Sequence, residues 1–98
     1  APSVIEYRRI FQTLAVAAGL AVTDEIIDTV ISTLRDRDGM PLAGYQPKFI
    51  LDQICAACKF AGTAPQFRPE TLTMALGNLS VASERPKSPV ISASPRAA

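Results

Sequence analysis

The chain holds 98 residues, 48% hydrophobic and 19% charged, a balance that suits one folded domain with a modest core and excludes disorder over most of the length. Its formal charge is +1, with seven Lys/Arg against eight Asp/Glu over residues 1–83, so the predicted folded part lacks the basic face of a nucleic-acid binder. Charged residues from Arg8 to Lys59 interrupt every apolar stretch well short of a membrane span, and the absence of His removes the commonest general base and metal ligand together.

Four helices are predicted, in chain order. The first runs from Ser3 to about Ala18, because Ser3 and Glu6 have the spacing of a capping box and Tyr7, Ile10, Phe11, Leu14 and Ala18 recur at helical period. Gly19 stops it. Thr23 caps the second, whose first turn carries Asp24 and Glu25 at the positive end of the helix dipole and whose stripe is Ile27, Val30, Ile31 and Leu34. This helix ends within residues 35–38, and residues 39–44, with two glycines and a proline, form an irregular connector.

The third helix opens at Gln46-Pro47, where the missing proline N–H costs nothing, and carries Ile50, Ile54, Ala57, Cys58 and Ala61 before Gly62 closes it. Residues 63–67 are a loop, and Arg68-Pro69-Glu70 starts the fourth helix, with Leu72, Ala75, Leu76 and Leu79 facing inward. No segment alternates with β-branched or aromatic enrichment, so no sheet is expected. The fold class is therefore all-α: a compact bundle of four helices, or five, spanning residues 1–81. A Pro/Ser/Ala-rich stretch over residues 82–98 is expected to be disordered, as a linker or tail.

Cys55 and Cys58 form the sole thiol pair, at C-x-x-C spacing midway along the third helix. A redox pair needs a helix N-terminus and a structural zinc site needs four ligands, so two small core-facing residues in a reducing, cytoplasmic compartment are the simpler reading. The chain also contains no phosphate loop of the form G-x-x-x-x-G-K-[S/T] and no Ser-x-x-Lys pattern, and without His it cannot build a Ser/His/Asp or Cys/His nucleophile system. Asp36 with Asp38, and Asp24 with Glu25 and Asp28, read as solvated helix-end acids and not as metal ligands, so neither catalytic nor metal residues are assigned. The N-terminus has neither initiator Met nor the basic and apolar runs of a signal peptide, and reads as a fragment of a longer protein.

Two stretches carry a resemblance. Residues 42–50, Leu-Ala-Gly-Tyr-Gln-Pro-Lys-Phe-Ile, and residues 67–79, from Phe67-Arg68-Pro69-Glu70 to Ala75-Leu76-Gly77-Asn78-Leu79, sit in an order of helices that resembles the small C-terminal lid domain of AAA+ ATPases over residues 4–81. The resemblance implies a non-catalytic module that closes over ATP and Mg held by a core domain outside this chain. Its implied partners are that core, neighbouring subunits of a ring and a protein substrate, with neither nucleic acid nor membrane among them. It also implies that Lys48 is the basic sensor-2-like residue reaching toward phosphate, with Tyr45, Gln46 and Pro47 beside the nucleotide. The family residue is usually Arg, and Lys offers a point charge in place of a planar fork. On the residues alone, Lys48 equally suits a solvated helix start and Tyr45 a hydrophobic staple. The alternative function is an independent helical domain whose apolar groove takes a partner helix.

Overall fold

The computed structural model describes residues 1–84, with side chains described to Ala82, and among these every regular element is helical. The elements are α1 (Val4–Ala17), α2 (Asp24–Ser32) continued by a π turn (Thr33–Arg37), α3 (Gln46–Ala61) and α4 (Pro69–Glu84).

Local chemistry sets their ends. The Ser3 hydroxyl accepts from the Glu6 N–H while Glu6 Oε1 accepts from the Ser3 N–H, closing the predicted capping box at the start of α1. Thr23 caps α2 by accepting from the Ile26 N–H, and Gly62, left-handed at φ 74°, terminates α3 with its N–H turned back onto Cys58 and Lys59 carbonyls. α2 does not stop cleanly. Its last turn widens, the Asp38 N–H bonding the Thr33 carbonyl at 3.0 Å and the Met40 N–H the Leu34 carbonyl at 2.6 Å. α4 continues to Glu84, past the expected boundary at residue 81, because no breaker follows in the sequence until Pro86. The rest of the expected disordered tail, residues 85–98, lies outside the described residues.

One core joins the elements. α3 packs against both α1 and α4, and Tyr7, Phe11, Ile27, Val30, Leu34, Ile50, Ile54 and Leu79 are fully enclosed. Of the predicted inward residues, Ile10, Leu14, Ala18 and Ala57 are only partly buried and Ala61 is exposed, whereas Leu20 and Leu42 add buried side chains from connectors, where no helical period exists to reveal them. Each fully enclosed aliphatic side chain contributes about 1.5–3 kcal/mol of transfer free energy, so these contacts dominate the stability. Arg8 pins α1 to α2 from outside, reaching Asp28 at 2.6 Å and Asp24 at 3.5 Å. Phe67 ties the α3–α4 loop to α1, its ring centroid 6.5 Å from that of Phe11. None of the helices described is long and apolar enough to cross a membrane.

Candidate functional site at the start of α3

The residues singled out in the sequence divide between core and surface. Gln46 is buried, with 1% of its surface exposed, and its amide is consumed by the connector: Oε1 accepts from the Ala43 N–H at 3.1 Å and Nε2 donates to the Pro41 carbonyl at 3.0 Å. A buried amide satisfied on both atoms fixes the backbone it grips, since losing either partner leaves a desolvated polar group. Gln46 therefore positions the entry to α3 from inside and has no side-chain polar atom turned to a ligand. Pro47 is buried beside it.

Tyr45 and Lys48 remain at the surface. Tyr45 stands at the N-cap of α3, more than half exposed, and Lys48 lies in the first turn. The Lys48 Nζ pairs with Asp52 Oδ2 at 2.9 Å, both side chains mostly solvated. A cation here faces the positive end of the helix dipole, and Asp52 offsets that cost. The pair runs basic to acidic along the helix, the weaker orientation, and an exposed bridge of this kind contributes about 0.3–0.5 kcal/mol. An anion arriving near Tyr45 can take the ammonium from Asp52 at small cost.

The cysteines carry no redox signature. Cys58 is buried and donates its thiol to the Gln66 carbonyl at 3.4 Å, and burial pushes the Cys55 thiol pKa up, disfavouring the thiolate. Asp24 and Asp28 of α2 are drawn into the Arg8 pairing, with Gln12 also donating to Asp24, while Asp38 accepts from Arg37 at 3.0 Å.

A second feature escaped sequence reasoning. Between α2 with its π turn and the start of α4 lies an open groove of about 500 Å³, floored by Ile26, Phe67, Leu72 and Leu76 and flanked by Arg37 and Arg68. The Thr29 and Thr73 hydroxyls on its rim donate to the Glu25 and Pro69 carbonyls of their own helices, so they add little polar capacity for a ligand. Each helix shows its own apolar stripe in sequence, but a groove between helices depends on how they pack. The one local signal is Phe67, a large aromatic in a loop.

A family model described as "Domain of unknown function (DUF8689)" matches residues 3–78. No curated protein and no solved structure matches the chain.

Proposed function

For a chain that belongs to the DUF8689 family, we propose a lid-like role: a helical module, non-catalytic by itself, that closes over ATP and Mg bound by a core domain outside this chain and passes the nucleotide state to neighbouring subunits. The observation that carries the reading is the entry to α3. A buried Gln46 locks the connector from inside, and Tyr45 and Lys48, three positions apart at the start of α3, stay on the surface. The Lys48 ammonium, paired with the solvated Asp52, is the basic group such a lid would offer to phosphate when it closes. Tyr45 would supply an apolar face with a polar tip beside the base or sugar. Gln46 and Pro47 support this end of the helix and are not contacts.

The test uses the complete polypeptide that contains this chain. A lid requires a phosphate loop of the form G-x-x-x-x-G-K-[S/T] elsewhere in that polypeptide. Lys48→Ala is then expected to lower ATP turnover by about tenfold or more, the scale of one charge contact to a transferring phosphoryl group, with the helical circular dichroism unchanged. A polypeptide without such a loop, or Lys48→Ala turnover equal to the parent's, removes the lid reading.

The groove between α2 and α4 favours a second reading, an interaction domain that seats the apolar face of a partner helix. This reading places the working surface on Ile26, Phe67 and Leu76 and leaves Lys48→Ala without effect.

A further inference from the structure

α4 carries no charged residue from Thr71 to Ser83, although Thr73, Met74, Asn78 and Val81 in that stretch are exposed. Its inward stripe is Leu72, Ala75, Leu76 and Leu79, while Met74 and Val81 on the opposite side are 42% and 62% exposed. A surface helix normally places charge there. Asn78 donates to Gln53 of α3 at 2.7 Å, so the uncharged side of α4 runs on into Gln53, Ala56 and Phe60 of α3, and Phe60 is 96% exposed. Gln53, Ala56, Phe60, Met74, Asn78 and Val81 form one uncharged face across the α3–α4 hairpin, which shares no residue with the α2–α4 groove and is bordered on α3 by Asp52, the partner of Lys48.

We propose that this face pairs with a second copy of the chain about a two-fold axis. Two features of the face fit its own copy. Asp52 and Lys59, of opposite sign, lie along its α3 edge, exposed to solvent, and Asp52 also holds Lys48 in a weak surface pair that leaves its second carboxylate oxygen for another cation. An axis crossing α3 between Cys55 and Ala56 sets the two copies of α3 antiparallel, and equal rise along both brings Lys59 of each opposite the partner's Asp52. The Gln53–Asn78 bond fixes the register of α4 beside α3, and the same axis then sets Met74 opposite the partner's Gly77. A Cβ added at Gly77 would meet nothing within 4 Å, which leaves room for the thioether. The small residues Ala56 and Gly77 allow close approach, and Phe60 gains burial at each end. The pairing does not depend on the lid reading.

Sedimentation equilibrium of the 98-residue chain from about 10 µM to 1 mM is expected to show a concentration-dependent monomer–dimer equilibrium, the range in which a small interface of this kind associates. Ala56→Glu, at an exposed position, is expected to leave circular dichroism unchanged and abolish the dimer. Lys59→Glu is expected to weaken pairing about tenfold and Lys59→Glu with Asp52→Lys to restore it, which only contact between two copies can do. A chain that stays monomeric throughout, a dimer indifferent to Ala56→Glu, or a charge swap that fails to recover pairing overturns the proposal.

Discussion

Tyr7 buries its whole side chain in the core, and among the described residues its hydroxyl has no hydrogen-bond partner. Burial raises the phenol pKa, so the group stays neutral and still carries an unmet O–H. Removing such a hydroxyl removes a desolvation cost without opening a cavity. Tyr7→Phe is therefore expected to raise unfolding free energy by about 1 kcal/mol in urea titration. A loss of similar size would mean that the hydroxyl holds a group essential to the fold. Gln46 is the opposite case, a buried polar residue with both atoms satisfied. The sequence placed Tyr7 in the core because aliphatic and aromatic spacing reports burial. It could not place Gln46 there, because a polar residue is buried only where distant backbone groups supply its partners, here Pro41 and Ala43.

Among the elements, helix starts were the most legible feature, since caps are local chemistry. The Ser3–Glu6 box stands as its spacing predicted, and its hydrogen bonds, first the one from the Ser3 backbone N–H, hold the Glu6 carboxyl below the ordinary glutamate pKa. A depressed carboxylate contributes stability that is present above its unfolded pKa and lost as pH falls through the folded one. An NMR titration is expected to show the Ser3 and Glu6 amide signals moving together with a midpoint below the usual glutamate value, with fraying of the first turn of α1 beneath it. A midpoint at the ordinary value would mean that the box is open in solution. The π turn was not legible, because widening a helix by one residue leaves the apolar spacing of Ile27, Val30, Ile31 and Leu34 intact. It changes where Thr33 and Arg37 come to lie, and both line the α2–α4 groove.

At the scale of the whole molecule, the four-helix order was readable from periods and breakers, while the surfaces between helices were not. The groove and the uncharged α3–α4 face both arise from packing, which one-dimensional spacing does not encode. Three surfaces are thus distinguished on the molecule: the α3 entry at Tyr45 and Lys48, the α2–α4 groove, and the face around Ala56. The proposed lid function rests on the first of these. Hydrogen exchange of the complete polypeptide, with and without a non-hydrolysable ATP analogue, tests it most directly. A lid that closes over nucleotide is expected to show slowed amide exchange in residues 43–50, with the segments lining the α2–α4 groove unchanged. Exchange that is unaltered at residues 43–50 while nucleotide is demonstrably bound would contradict it.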